Sequence, residues 1–152
     1  MTELSKTPGH LIRRFQQIAV AIFHAEAGAM GHALTPVQYA ALVTVQRHGG
    51  IDQATLAGLI AYDRTTIGGV VDRLVQKGCL ERSVSDRDRR SRELRVTEEG
   101  LKVIAAIQPA VDAAQVKMLQ GLSTEEAGEL LRLLRKAIDA VNDRSRAPFR
   151  EG

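Results

Sequence analysis

The sequence has few of the residues that disulfides, metal sites and aromatic binding platforms require. Its single cysteine, Cys79, cannot form an internal disulfide, and its four histidines are scattered without zinc-ligand spacing. Tryptophan is absent and aromatic residues make up 3% of the chain, which argues against a stacking platform for RNA or single strands. We therefore expect no metal site and no bound cofactor.

Long apolar runs are also missing. No stretch reaches the roughly 18 apolar residues of a membrane span, and the segment from Met1 to Gly9 lacks the features of a secretory signal. A cytoplasmic protein is the default expectation. The chain has no glycine-rich phosphate loop, nucleophile elbow or spaced acid and base pair, so we do not predict an enzyme.

The composition is that of one globular domain, with 44% hydrophobic and 26% charged residues. The net charge of +3 permits a polyanionic partner without requiring one. Apolar residues spaced three and four apart between Leu11 and Phe23 predict a helix from about Gly9 to Met30. Two further helices are expected, one capped by Thr97 and bent at Pro109, the other opened by the capping box at Ser123 and running to Val141.

These terminal helices carry apolar faces too long for a small middle domain to cover. We expect residues 9–33 and 98–143 to form dimerisation helices, with a flexible leader over 1–8 and a flexible tail over 144–152. A closed monomeric bundle is the alternative.

Residues 34–97 alternate short helices with a hairpin. Thr35-Pro36-Val37-Gln38 predicts a capped helix to about Arg47; Asp52 is placed to cap a short third helix and Asp63 a fourth over Arg64–Lys77. Gly78 then ends the fourth helix, and two short strands are expected to follow, Leu80–Val84 and Leu94–Thr97. The expected fold is mainly α with a small β wing, a winged helix-turn-helix between long terminal helices.

The fourth helix has an unusual outward face. Its two adjacent glycines, Gly68 and Gly69, each cost about 1 kcal/mol relative to alanine in a helix, and close approach of another backbone is one reason to keep them. The first turn offers free N–H groups suited to phosphate or a base edge. Candidate contacts are Arg64, Thr65, Thr66, Gly69 and Arg73. Alternatively, the glycines ease packing and the threonines only cap the helix.

The hairpin is rich in arginine and poor in apolar residues. Its basic side chains suit a narrow minor groove, and its aspartates, Asp86 and Asp88, are placed to brace them. A solvated charged loop is the alternative. The basic residues of this segment are Arg87, Arg89, Arg90, Arg92 and Arg95.

The chain from about Gly9 to Val141 resembles the MarR family of bacterial transcription regulators. The resemblance is carried by five strings in family order: Leu34-Thr35-Pro36-Val37-Gln38-Tyr39, Asp63-Arg64-Thr65-Thr66, Val71-Asp72-Arg73-Leu74 through Gly78, Asp88-Arg89-Arg90, and Val96-Thr97-Glu98-Glu99-Gly100. It implies a homodimer on pseudo-palindromic duplex DNA. We predict that the protein acts as a repressor, with activation as the alternative. Half-sites are then expected about one helical turn apart.

The resemblance also implies roles for single residues. Arg64, Thr65, Thr66 and Arg73 match groove and phosphate contacts. Of Arg89 and Arg90, one would enter the minor groove and the other contact the backbone or brace Asp88. Gln53 and Thr55 are expected to contact phosphate.

A small-molecule effector that weakens DNA binding is a further implication. The opening from Pro8 to Arg14, with Gln16-Gln17, looks like the subgroup that responds to aromatic acids. The candidate effector-binding residues are His10, Arg14, Gln17 and Tyr39, with Arg14 paired to a carboxylate. Structural roles for these side chains are the alternative.

Two other functions stay open at the level of sequence. Cys79 could make the protein a redox-sensing regulator, although its position between Gly78 and Leu80 favours a buried small hydrophobe. A helical protein-interaction module would explain the long helices but not the arginine-rich hairpin.

Overall fold

The computed structural model describes residues 3–151, and within them it contains six α-helices and one antiparallel pair of strands. The helices are α1 (Pro8–Ala29), α2 (Pro36–Arg47), α3 (Gln53–Leu59), α4 (Ile67–Gln76), α5 (Glu98–Met118) and α6 (Thr124–Val141), and the strands are β1 (Leu80–Val84) and β2 (Arg92–Val96). The predicted mainly α fold with a β wing is confirmed.

Local capping residues set most helix starts, as the sequence predicts. Thr35 Oγ1 accepts from the Gln38 backbone N–H at 3.2 Å, and Gln38 Oε1 accepts from the Thr35 N–H at 3.1 Å. Ser123 and Glu126 form the same reciprocal pair at the start of α6. Because each cap satisfies N–H groups that the first helical turn leaves free, the start of the helix is determined by neighbours in sequence.

The core lies in the middle of the chain, where α2, α3, α4 and the strands meet the inner faces of α1 and α5. Ile51 extends the sheet by a single bridge to Leu94. The largest side chains that are fully buried come from all of these middle elements and from α5: Leu42, Val45, Leu56, Ile67, Val71, Leu74, Leu80, Leu94 and Ile107.

Two glycines make the junction between α4, the wing and α5 possible. Gly78 has a φ of +74°, a conformation that side chains disfavour, and it follows α4 as predicted. Gly100, in the first turn of α5, lies against the chain next to it: a Cβ there would overlap the Cys79 carbonyl oxygen and stand 2.7 Å from Val96 Cγ1. Thr97 N–H also donates to that carbonyl, at 3.0 Å. The wing is therefore fixed to the start of α5.

The terminal helices leave apolar surface uncovered. α1 packs along α5 through Phe23 and Ala27, and Lys117 forms an ion pair with Glu26 across them. α6 has no buried residue. Large exposed apolar side chains on these three helices include Leu11, Ile12, Phe15, Ile18, Leu101, Val116, Leu131, Ile138 and Val141.

Both ends of the described chain contain short turns, and the flexibility expected for the leader and the tail stays a prediction. Leu4–Lys6 form a 3-10 turn and Pro8 already belongs to α1, while Met1 and Thr2 lie outside the described residues. At the other end a 3-10 turn, Asn142–Arg144, follows α6, and the chain up to Glu151 folds back onto α3 through an Arg150 N–H bond to the Gly58 carbonyl at 2.9 Å. No helix within residues 3–151 is both long and apolar enough to span a membrane.

Candidate nucleic-acid interface

The turn before α4 is built around one aspartate. Asp63 Oδ1 accepts from both the N–H and the hydroxyl of Thr65, at 2.8 and 2.7 Å, and its carbonyl accepts from the Ile67 N–H at 2.9 Å. The Thr65 hydrogen bonds lower the pKa of the Asp63 carboxyl. The sequence predicts a helix start at Arg64, but the helix begins three residues later. The Asp63 carboxylate accepts hydrogen bonds within an Asx turn and does not cap the helix.

Residues 64–66 therefore form an exposed turn that precedes the helix, and they do not belong to its first turn. The side chains of Arg64, Thr65 and Thr66 are all exposed. On α4 itself, Ile67, Val71 and Leu74 are buried, while Gly69 and Arg73 face outward. Nothing lies within 4 Å of a Cβ placed on Gly69, so this glycine does not serve packing within the chain.

The wing presents its arginines on a structured tip. The buried Ser85 Oγ accepts from the N–H groups of Arg87 and Asp88, at 3.2 and 3.3 Å. Asp88 Oδ1 accepts from the Arg90 N–H at 2.9 Å, so Asp88 braces the loop through the backbone. Within residues 3–151, Arg87, Arg89 and Arg90 are exposed and form no ion pair, which leaves their guanidinium groups available to a ligand.

α3 connects the wing to α4. Asp52 caps it by accepting from the Thr55 N–H at 2.7 Å. Gln53 Oε1 accepts from Arg82 Nε at 3.0 Å, and Arg82 also pairs with Asp72 of α4. The sequence did not assign Arg82 to this surface, because its partners Gln53 and Asp72 are distant along the chain.

These elements form one continuous polar surface. Gln53 Nε2 is 3.8 Å from the position of a Cβ at Gly68, which places the start of α3 beside the outer face of α4. A groove of about 340 Å³ separates α3 from the wing tip. It is lined by Asp52, Gln53, Ala54, Asp88, Arg90, Ser91 and Arg92.

The four residues predicted to bind an effector do not meet in one chain. Arg13, which the sequence did not single out, lies between two of them: its guanidinium is 3.3 Å from both His10 Nδ1 and Gln17 Oε1. Arg14 is exposed. The Tyr39 hydroxyl donates to Gln108 Oε1 at 2.8 Å, on the other side of α1.

Tyr39 instead lines a small cavity between α1, α2 and α5. Its volume is about 180 Å³, and its walls are mainly apolar, with two amides. Gln16 supplies one of these amides and lies on the same face of α1 as Phe23. At about 100° per residue, Gln16 is about 200° around the helix from Arg14. The lining residues are Gln16, Ala19, Val20, Phe23, Pro36, Tyr39, Val111, Gln115 and Met118.

Cys79 is built into the core. It is 2% exposed, and burial, with Glu99 nearby, raises the pKa of its thiol while Lys77 lowers it. Because the reactive form of cysteine is the thiolate, this environment suits a structural side chain and disfavours a redox sensor. The interpretation as a buried hydrophobe is confirmed.

A helix with a polar exposed start, a preceding helix beside it and a basic two-stranded wing define a winged helix-turn-helix protein. Residues 34–91 match the model of the MarR family. The chain belongs to this family of transcriptional regulators.

Similar proteins extend the match over nearly the whole chain. The HTH-type transcriptional repressor NicR of Pseudomonas putida is 32% identical over 138 residues, covering 91% of this chain and 86% of its own. The PcaV regulator of Streptomyces coelicolor, solved with its natural ligand, is 32% identical with a TM-score of 0.83, covering 93% and 98%. Bordetella bronchiseptica BpsR, whose DNA binding is regulated by 6-hydroxynicotinic acid, is 28% identical with a TM-score of 0.85, covering 91% and 98%.

Proposed function

We propose that the protein is a homodimeric transcriptional repressor that binds a pseudo-palindromic duplex operator and is released by a small aromatic carboxylate. The observation that carries this proposal is the continuous surface from the turn before α4, across Gln53, to the exposed wing arginines. A helix that enters the major groove and a basic loop that reaches the neighbouring minor groove need this arrangement.

We assign the contacts by position on this surface. Arg64, Thr65, Thr66, Gly69 and Arg73 face the major groove and its phosphates. Gln53 and Thr55, at the start of α3, bind the phosphate backbone, for which a side-chain amide and a hydroxyl are suited. The wing contributes Arg87, Arg89 and Arg90, one of the last two entering the minor groove.

Dimerisation would cover the apolar faces of the terminal helices. Phe15 and Ile18 on α1, with Leu131 and Ile138 on α6, are between 36% and 56% exposed in the single chain. Exposed apolar surface on long helices is unfavourable in water, and an isologous contact with a second copy removes it on both chains.

The effector class is proposed from the relatives and from the cavity beside Tyr39. BpsR responds to 6-hydroxynicotinic acid, an aromatic carboxylate. We place the effector between the terminal helices and the winged domain of the dimer. Since Tyr39 does not meet His10, Arg14 and Gln17 within one chain, the site takes Tyr39 from α2 of one copy and the other three residues from α1 of the second copy. Arg14 would pair with the carboxylate.

A fluorescence-anisotropy titration tests the proposal. The protein is titrated against duplex from the upstream region of its own gene, and against a random duplex of equal length, at two salt concentrations and with a panel of benzoates and hydroxybenzoates. We expect binding that prefers the upstream duplex, falls steeply with salt and weakens with one of the acids. Equal binding to both duplexes would reject the operator, and indifference to every acid would reject the effector class.

A further inference from the structure

The segment that follows α6 is closed into a loop by one side chain. The Asn142 amide donates to the Phe149 carbonyl at 2.9 Å, and its oxygen accepts from the Phe149 N–H at 2.9 Å. Ser145 Oγ accepts from the Ala147 N–H at 3.0 Å inside this loop. Paired bonds of this kind hold the six intervening residues in a defined shape, so the loop is preorganised rather than a loose end.

The loop is attached to α3 at a position without a side chain. The Arg150 N–H donates to the Gly58 carbonyl at 2.9 Å, and a Cβ on Gly58 would stand 3.0 Å from Arg150 Cβ. The Arg150 guanidinium lies 3.1 Å from Asp143 Oδ1 and is therefore engaged within the segment itself. The glycine allows the chain to lie directly on the helix.

The loop and α3 enclose a groove of about 790 Å³ that opens beside the turn before α4. Thr55, Arg64 and Thr65, which we assign to the DNA interface, line one side, and Arg146 lines the other. The groove thus continues the proposed DNA-binding surface past the start of α4.

Arg146 is the more exposed of the two arginines that the loop contributes to this groove. Its side chain is 93% exposed, and its one ion-pair partner among the described residues is Asp63, at 3.9 Å, while Asp52 and Glu151 also line the groove. Asp63 Oδ1 already accepts two hydrogen bonds from Thr65. An exposed ion pair at this distance contributes little, so the guanidinium keeps its donors for an oxygen ligand.

We propose that the segment after α6, closed by Asn142 and Phe149 and attached to α3 by Arg150, is part of the DNA interface, with Arg146 binding a phosphate of the backbone that flanks the major-groove contact. This inference rests on the proposed function. The contact is to the backbone, so it adds affinity without reading sequence.

The test compares Arg146→Gln with Arg135→Gln, which removes the same charge from the exposed surface of α6. Each variant and the wild-type protein are titrated against the upstream duplex and a random duplex over a range of salt concentrations. Arg146→Gln is expected to lower both affinities several-fold and to reduce the slope of log K against log salt by about 0.9 for each protomer in contact. Arg135→Gln is expected to leave the slope unchanged. Asn142→Ala, which opens the loop, should reproduce part of the Arg146→Gln loss.

The outcomes separate this inference from the function on which it rests. Steep, salt-dependent binding by the wild type with an unchanged slope in Arg146→Gln would overturn the loop contact and leave the regulator intact. An equal loss in Arg135→Gln would also overturn it, because the effect would then reflect net charge. Absence of DNA binding by the wild type would overturn both.

Discussion

Arg82 on β1 forms an ion pair with Asp72 on α4 while its Nε donates to Gln53 on α3 at 3.0 Å. One guanidinium thus joins the wing, α4 and α3. These contacts fix the distance between the two parts of the protein that we propose to enter neighbouring grooves.

The Arg82–Asp72 pair should act on geometry more than on stability. Its side chains are 30% and 56% exposed, and pairs of this kind contribute about 0.2–1 kcal/mol. A double-mutant cycle of Arg82→Gln and Asp72→Asn, followed by urea denaturation, should therefore give a coupling energy within that range. A coupling above about 3 kcal/mol would mean that the pair behaves as a buried one.

Gly69→Ala should separate folding from binding. The added methyl group meets nothing within 4 Å, and alanine is favoured over glycine in a helix by about 1 kcal/mol, so the free energy of unfolding should rise. DNA affinity should fall, because the methyl group stands where the duplex approaches. Anisotropy and thermal denaturation measure the two effects.

Gly128→Ala is the matched control for that experiment, since Gly128 lies in α6 with equally open surroundings. It should stabilise the protein and leave DNA affinity unchanged. If Gly69→Ala binds DNA as tightly as the wild type, close approach at Gly69 is rejected.

Arg90→Ala should weaken operator binding by about 1–3 kcal/mol if Arg90 is the side chain that enters the minor groove. Its side chain is exposed, and its backbone is held by Asp88, so alanine removes the guanidinium without altering the loop. Arg89→Ala, measured in parallel on operator and random duplex, is the comparison. The larger loss on the operator identifies the minor-groove arginine, and unchanged affinity in Arg90→Ala rejects its assignment.

Arg14→Ala should remove the response to the aromatic acid while leaving DNA affinity nearly intact, because α1 is not part of the proposed DNA-binding surface. Tyr39→Phe, which removes the hydroxyl bonded to Gln108, should reduce the response in the same assay. Equal loss of DNA binding and response in Arg14→Ala would indicate a structural arginine. Loss of the response in Arg13→Ala alone would transfer the carboxylate-binding role to Arg13.

Cys79 should be slow to react with a thiol reagent in the native protein at pH 7 and fast in urea, because burial raises the pKa of its thiol and blocks access. Peroxide should leave DNA affinity unchanged. Rapid native labelling together with loss of DNA binding on oxidation would restore the redox-sensor alternative.

The same pKa shift has a defined sign for stability. The folded thiol holds its proton more tightly than the unfolded one, so its contribution is complete below the unfolded pKa of about 8.5 and is lost as pH rises through the higher folded value. Relative to Cys79→Ala, the wild type should therefore lose free energy of unfolding between pH 7 and 10, measured by urea denaturation.

Much of the fold follows from interactions between residues close in sequence. Four helices are capped by side chains that accept from an N–H group three residues away: Thr35, Asp52, Thr97 and Ser123. After α4, the positive φ of Gly78 is a conformation that favours glycine. The order of helices, the hairpin and the exposed arginines could be predicted because each depends on a few neighbouring residues.

The start of α4 shows the limit of that local reasoning. Asp63 could cap a helix or close an Asx turn, because both arrangements use bonds from nearby N–H groups to the same carboxylate. The structure contains the turn, which moves Arg64, Thr65 and Thr66 out of the helix while keeping them exposed.

Contacts between residues far apart in sequence follow from the packing of the folded chain. Arg82 reaches Gln53 across 29 positions of sequence, Tyr39 reaches Gln108 across 69, and Arg150 returns to Gly58. The helices, the strands and the basic character of the wing can be predicted from the amino-acid sequence, because caps, turns and periodicity are local. The grooves and the placement of Arg146 depended on packing, since such contacts form only once the helices and the wing are folded together.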